Sequence, residues 1–395
     1  MKHFIVFLAL LVFHSGTVRA GEKRVRKELA DTDRVLLLGG GFIEQERLHC
    51  YLETRLLRHH PRGQLLFRNL GWGGDTVRGS ARTGGFENPQ GFARLLKEVT
   101  QWKPTVILVG YGMNESFAGA KGIDVFVKDY RSLLDKLAPL KSRLILLAPT
   151  YHEALGPPHP DPTEHNKSLQ SYAEAIRDLA QKRDVEFINL FHAMKTAKAT
   201  MPGRIFTTNG IQPNELGYAV IARTVEKALG YASASDWHFT VSAKGKVREQ
   251  GGVKEKVEAT KRGLRLWIQE PVVPVTDPLA KEGLVLRVTD LADGMHVLTV
   301  GGKEVLRATG EAWGRGLFIA AGNPDGEKLR QAVIAKNELF YRRWRPFNDH
   351  SRHFDFLRGD FSLYDKAIAD RERAIQDMLA PRWHCFEIVP LGKSK

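Results

Sequence analysis

Short aliphatic runs alternate with amphipathic stretches from Arg34 to about Gly230. The runs are VLLLG (35–39), QLLFRNLG (64–71), TVILVGYG (105–112), RLILLAPT (143–150) and VEFINLF (185–191). Each is too short for a helix and rich in strand-forming residues. Between them, EQERLHCYLETRLLRH, ENPQGFARLLKEVTQW, VFVKDYRSLLDKLAPL and NKSLQSYAEAIRDLAQKR carry apolar residues at helical spacing. This alternation predicts βαβ units, hence an α/β fold whose mostly parallel sheet is covered by helices on both faces. Such sheets place their working site outside the carboxyl ends of the strands, so the loops after each strand hold the candidate chemistry.

Beyond Gly230 the texture changes. KGKVREQGGVKEKVEATKRG (244–263) is polar and charged and reads as a solvated connection. GLRLWIQEPVVPV, LVLRVTDLADGMHVLTVGGKEVLRAT and GRGLFIAA then alternate in the manner of antiparallel strands, with Asp293-Gly294 and Gly301-Gly302 at turns. EKLRQAVIAKNELFYRRWRP returns to helix and stops at Pro346, and a further helix is expected from about Ser362 to Leu379. The expected organisation is an α/β domain over 21–236, a β-rich module over 237–322, and a C-terminal helical segment over 323–395 that packs back on the α/β domain.

The first twenty residues are read apart from the fold. A basic start at Lys2, an apolar run from Phe4 to Phe13 and the small-residue ending Val18-Arg19-Ala20 have the form of a secretory signal peptide. The run is shorter than the ~18 apolar residues a spanning helix needs. The expectation is a secreted or periplasmic protein with no stable membrane insertion after cleavage. Net charge is +14 over 395 residues and is spread along the chain. No single basic stripe marks a nucleic-acid surface, and no nucleic-acid partner is expected. Cys50 and Cys385 alone do not make a disulfide framework. His59, His60 and the histidines of PPHPDPTEH lack metal-ligand spacing, and the three glycines at 39–41 lack both the dinucleotide fingerprint and a Walker lysine. No metal and no cofactor are expected; oligomeric state is left open.

Four strand-end segments remain: GGGFIE (39–44), NLGWGGDT (69–76), GYGMNES (110–116) and TTNGIQPNELGY (207–218). In order and spacing they resemble the blocks of the SGNH, or GDSL, hydrolase family of esterases and lipases. The resemblance covers residues 34 to 230 and implies a flavodoxin-like sheet. In that family the first block supplies a serine nucleophile within Gly-Asp-Ser. The second supplies an oxyanion glycine, the third an oxyanion asparagine, and the last the Asp-x-x-His that completes the triad. Carried over by position, Gly74 and Asn114 match the two oxyanion donors, each of which is worth ~10²–10³ in rate in an acyl-transfer site. The bland reading stands beside it: Gly74 permits a tight turn and Asn114 ties loops together.

The triad positions read differently. The serine position is Gly41, the aspartate position Asn209 and the histidine position Gln212. Glycine has no nucleophile, and glutamine cannot act as a general base near neutral pH. Ser80, Ser116, Thr207 and Thr208 lie nearby, but none sits in the turn that begins at Gly39. Other polar groups follow the same strands: Glu115 after Asn114, and His152 and Glu153 after the fourth strand. They fit displaced acid–base groups, or polar residues that hydrogen-bond loops and helix ends. Trp72 and Tyr111 would suit a polar ligand with a stacking face.

Asn114-Glu115-Ser116, His152-Glu153, Lys336-Asn337-Glu338-Leu339 and Trp344-Arg345-Pro346 further resemble a secreted, planctomycete-type subgroup of SGNH-like proteins that carries a β-rich insert. Gln212 departs from that pattern, where histidine is usual. The resemblance and its departures imply a protein inactive as a serine esterase that binds a carbohydrate or acylated ligand. The alternatives are an atypical hydrolase of acylated glycans working through displaced groups, and a non-catalytic interaction scaffold.

Overall fold

In the computed structural model, residues 28–82, 89–231, 237–251, 253–261, 263–269, 277–279, 283–320, 324–345, 361–380 and 382–391 are described. The expected signal peptide lies outside them. Among the described residues, no helix is long and apolar enough to cross a membrane.

The N-terminal half is built on five strands: β1 (Arg34–Gly39), β2 (Leu66–Asn69), β3 (Val106–Gly110), β4 (Arg143–Leu147) and β5 (Glu186–Ile188). They pair in the order β2-β1-β3-β4-β5, all parallel. The central strands are buried on both faces, which is why they read as unbroken aliphatic runs. The helices are α1 (Gly41–His49), α2 (Tyr51–Leu57), α3 (Pro89–Gln101), α4 (Ile123–Leu137), α5 (Thr163–Arg183), α6 (Leu190–Thr200) and α7 (Glu215–Ala228). One apolar core joins the sheet to α1, α2, α6 and α7, and a second joins its other face to α3, α4 and α5. The strand order reverses between β1 and β3, so the crevice of this sheet opens at the carboxyl ends of those two strands.

The glycines at that crevice have different reasons. A Cβ on Gly39 would lie 2.2 Å from the carbonyl oxygen of Gly110, its partner in the β1–β3 register, so no side chain fits there. Gly41, the first residue of α1, is under no such constraint: a Cβ there would make only ordinary contacts. The stretch expected as one helix from Glu44 onward breaks at Cys50, which is left-handed (φ 52°) and separates α1 from α2.

The second half is a two-sheet sandwich. Its strands are β6 (His238–Ser242), β7 (Val247–Gly251), β8 (Lys254–Thr260), β9 (Gly263–Gln269), β10 (Gly283–Thr289), β11 (Met295–Val300), β12 (Lys303–Thr309) and β13 (Leu317–Ala320), with the short helix α8 (Gly310–Arg315) before β13. The segment 244–263 is therefore not a solvated connection. It forms β7 and β8, edge strands whose side chains are mostly exposed and charged, and that composition hid them. Gly301 and Gly302, both at positive φ, make the two-residue turn between β11 and β12.

The chain returns through α9 (Pro324–Trp344) and α10 (Phe361–Met378). The last segment is not purely helical: β14 (His384–Pro390) pairs between β9 and β11 and completes the five-stranded sheet β12-β11-β14-β9-β8. Phe386 and Ile388 enter the sandwich core beside Leu266 and Leu298. Cys385 lies in this strand and Cys50 in the α/β half; both are free thiols.

Helix α9 lies against edge strand β2 and reaches both cores, with Leu329 and Val333 in one and Phe340 and Trp344 in the other. Between these apolar contacts sits a buried polar cluster. Lys336 Nζ donates to Glu53 Oε1 at 2.6 Å, and Asn337 Nδ2 donates to Glu53 Oε2 at 2.7 Å and to Cys50 Sγ at 3.2 Å. Lys336 and Glu53 are 1% and 4% exposed, so neither charge has water to fall back on. A Lys336→Ala substitution leaves a buried carboxylate without its cation and should lower unfolding free energy by about 3–5 kcal/mol. Removing both charges together, as Lys336→Met with Glu53→Gln, should recover much of that loss. Urea denaturation of the three proteins checks this; a single variant as stable as the wild type contradicts it.

Candidate functional site

The loops after β1, β2, β3 and β4 and the turn before α7 enclose a cleft of about 280 Å³ at the β1–β3 crevice. Its wall includes Gly40, Gly41, Gly74, Asn114, Asn209 and Gln212, together with Glu44, Asp75, Met113 and Thr150. Every residue that the family resemblance aligned with a triad or oxyanion role thus lies on one cavity.

The geometry between them is specific. A Cβ on Gly41 would lie 3.5 Å from Gln212 Oε1, so position 41 faces position 212 across the cleft. Gln212 Nε2 donates to the Tyr218 hydroxyl at 2.7 Å, and that hydroxyl donates to the Phe42 carbonyl at 2.7 Å. A carbonyl only accepts, so the Tyr218 proton is committed to Phe42 and the hydroxyl oxygen must take its second bond from an N–H. This fixes the amide: Nε2 on Tyr218, Oε1 toward Gly41. Burial keeps the Tyr218 phenol well above its ordinary pKa, so it remains a hydroxyl. Asn209 turns its Oδ1 onto its own loop, accepting from the N–H groups of Gln212 at 2.8 Å and Ile211 at 3.1 Å.

The donor side is equally defined. Gly74 is at φ +77°, a conformation glycine adopts freely, and a Cβ there would meet nothing within 4 Å. Its N–H has no acceptor among the described residues, and neither do those of Gly41 and Phe42 at the start of α1, which lacks a side-chain cap. Asn114 Nδ2 gives one proton to the Asp75 carbonyl at 2.7 Å, which anchors the amide at the cleft wall. The neighbouring loop is held from behind: Glu44 Oε2 accepts from Gly73 N–H at 2.8 Å, and the other oxygen of Glu44 is paired with Arg345. The Arg345 guanidinium also lies 3.6 Å over the Trp72 ring.

The four remaining candidates do not line the cleft. Trp72 is only 8% exposed, packed under Arg345 and edge-on to Trp344, so it offers no stacking face. Glu115 accepts from the N–H groups of Val77 and Gly112, both at 3.0 Å, and ties the second loop to the third; burial pushes its pKa up to about 7. Glu153 accepts from Phe206 N–H at 2.9 Å and the Thr207 hydroxyl at 2.7 Å, is paired with Lys198 at 2.7 Å, and holds the turn before α7. His152 lies beneath Gly210 in a chain of hydrogen bonds that sequence spacing did not reveal. Tyr111 is buried too, although its residue borders the cleft: its hydroxyl donates to Asp75, which also pairs with Arg82 at 2.8 Å.

The His152 chain has a definite direction. The Ser116 hydroxyl donates to the Met113 carbonyl at 2.7 Å and so accepts from His165 Nε2 at 2.8 Å. His165 Nδ1 then accepts from His152 Nδ1 at 2.9 Å. The order serine–histidine–histidine resembles nucleophile, base and orienting group in its contacts, but its protons run the other way. His165 Nε2 donates to the serine and cannot act as its base in this arrangement. Ser116 is also only 1% exposed, and its proton is spent on a carbonyl, so no substrate reaches it as it stands. Among the described residues no three His, Cys, Asp or Glu side chains gather as a metal site.

The parallel sheet in the order 2-1-3-4-5, with its loops converging on the β1–β3 crevice, defines an SGNH-hydrolase-type α/β fold. Residues 39–220 match the model of the GDSL-like Lipase/Acylhydrolase family. Among solved structures, the chain is similar to BT4096, a gut microbial diltiazem-metabolizing enzyme. They share 15% identity at a TM-score of 0.74, over 91% of this chain and 98% of that one, so the likeness in fold includes the sandwich and the C-terminal helices. A partial similarity runs to Axe2, an acetylxylan esterase from Geobacillus stearothermophilus, at 19% identity and a TM-score of 0.42, over 51% of this chain and 95% of that one. No curated protein sequence matches the chain.

His165 supplies a pH test of the buried chain. Desolvation, followed by the nearby His152, lowers its pKa to about 4. The unfolded chain, with a histidine near 6.5, then binds the proton first. The contribution of neutral His165 is full above about pH 6.5 and is lost as pH falls toward 4. Melting temperature measured from pH 7.5 to 4 should fall less steeply in His165→Gln than in the wild type. Parallel profiles would mean that the imidazole is not held neutral.

Proposed function

We propose that this chain has lost the Ser-Asp-His triad, with Gly41, Asn209 and Gln212 in its place, and that the cleft binds a carbohydrate or acylated ligand without serine-esterase turnover. The observation that carries the reading is the facing pair Gly41 and Gln212. One position lacks any nucleophile, and the other presents an amide oxygen that cannot take a proton near neutral pH. Loss of a whole triad costs on the order of 10⁶ in turnover, leaving only what donors and binding contribute. The surviving donors, Gly74 N–H and the Asn114 amide, support a cleft that still recognises an oxygen. Export through the N-terminal segment belongs to the same proposal, as does a ligand met outside the cytoplasm.

A second reading, an atypical hydrolase of acylated glycans, draws on one observation: the Ser116–His165–His152 chain lies behind Met113 on the cleft wall. It requires the 113–117 loop to open and release a serine that is sealed here. A purely structural scaffold is the third reading, and a cleft of about 280 Å³ left unfilled by side chains counts against it.

Turnover of aryl acetates and acetylated xylan separates these readings. The wild-type protein should hydrolyse neither above background, and a fluorophosphonate probe should not label it. Gly41→Ser combined with Asn209→Asp and Gln212→His should gain both labelling and measurable hydrolysis, because the three positions line one cleft and 41 already faces 212. Wild-type turnover abolished by Ser116→Ala or His152→Ala would overturn the binding reading in favour of the displaced hydrolase.

A further inference from the structure

The cleft has a polarity that narrows its ligand, and this inference rests on the binding function proposed above. We infer that the space left by the missing side chain at Gly41 is filled by a hydroxyl of the ligand, and that the ligand is a neutral polyol, a sugar ring, rather than an acyl group or an anion.

Three observations lead there. First, the space is bounded on one side by an acceptor whose orientation is forced. Gln212 Oε1 faces Gly41 because Nε2 is held by Tyr218, whose own proton is held by Phe42. Second, the same cleft is lined by residues whose N–H groups have no acceptor among the described residues, Gly41, Phe42 and Gly74, and by the anchored Asn114 amide. Third, Thr150 on the wall is fully buried, and its hydroxyl has no partner among the described residues.

A group that meets both an acceptor and donors must both donate and accept. A hydroxyl does both; an ester carbonyl only accepts and would leave Gln212 Oε1 facing an oxygen. A carboxylate, like the ester carbonyl, only accepts and meets the same oxygen. The volume, about 280 Å³, suits one pyranose ring more than an extended chain. The ligand's hydroxyl would then stand where a serine hydroxyl stands in relatives that carry the nucleophile.

Gly41 allows a clean test. Its backbone is helical and a Cβ there makes only ordinary contacts, so Gly41→Ala and Gly41→Ser should fold and melt at or above the wild-type temperature. Both add atoms in the space assigned to the ligand. Binding of D-glucose and D-xylose would be followed by saturation-transfer NMR and calorimetry, with sodium acetate and methyl acetate as competitors. The expected result is millimolar binding of at least one sugar, weakened tenfold or more in both variants, and no displacement by acetate or the ester. Equal sugar binding by wild type and variants would overturn the placement at Gly41 while leaving a binding cleft intact. Preferred binding of acetate or methyl acetate would overturn the hydroxyl assignment. If neither sugar binds the wild type, the inference and the carbohydrate-binding reading beneath it fail together.

Discussion

A single phenolic proton orders the centre of this site. The Tyr218 hydroxyl reaches back from α7 to the Phe42 carbonyl at the start of α1, and in doing so decides which way Gln212 presents its amide. The same bond joins the last loop of the sheet to the first, across the crevice where strand order reverses. Buried hydrogen bonds of this kind are costly to leave unmade, so the arrangement holds one orientation rather than two. What faces Gly41 is therefore an acceptor by construction, and the chemistry open to the cleft follows from it.

The rest of the molecule supports that geometry at a distance. Helix α9 brings Lys336 and Asn337 to Glu53 on α2, Glu338 to Arg47 on α1, and Arg345 to Glu44 on α1. Glu44 in turn holds Gly73 N–H, one residue from the unpaired N–H of Gly74. The C-terminal segment thus clamps the two helices that follow Gly41 and fixes the donor loop from behind. Because β14 then joins the sandwich between β9 and β11, that module is anchored to the same returning chain. The motif residues from Lys336 to Arg345 find their use here, as structure behind the cleft rather than as part of it.

How much of this was legible in the sequence depended on what each residue had to do alone. The central parallel strands announced themselves because burial on both faces demands uninterrupted aliphatic residues, and the cleft loops because glycines and Asn114 stand at strand ends. β7 and β8 stayed hidden, since edge strands exposed on most positions read as a charged linker. The break at Cys50 was invisible because a left-handed cysteine has no sequence signature. Trp72, Glu115, His152 and Glu153 were correctly placed near the strand ends, yet all four turn away from the cleft. Which way a side chain points is set by partners far along the chain: Arg345 for Trp72, Val77 and Gly112 for Glu115, His165 for His152, Thr207 for Glu153. Tyr218 gave no signal at all, being one aromatic residue in an ordinary helical face.

On the reading proposed, the space beside Gly41 receives an oxygen from outside the chain, oriented by Gln212. A crystal structure of the protein soaked with D-xylose or D-glucose, at a resolution that separates ring hydroxyls from water, tests it most directly. The predicted result is a sugar hydroxyl within hydrogen-bond reach of both Gln212 Oε1 and the Gly74 N–H, with the Tyr218–Phe42 bond intact. A sugar bound elsewhere, or a cleft whose Gln212 amide has turned its nitrogen toward Gly41, would contradict it.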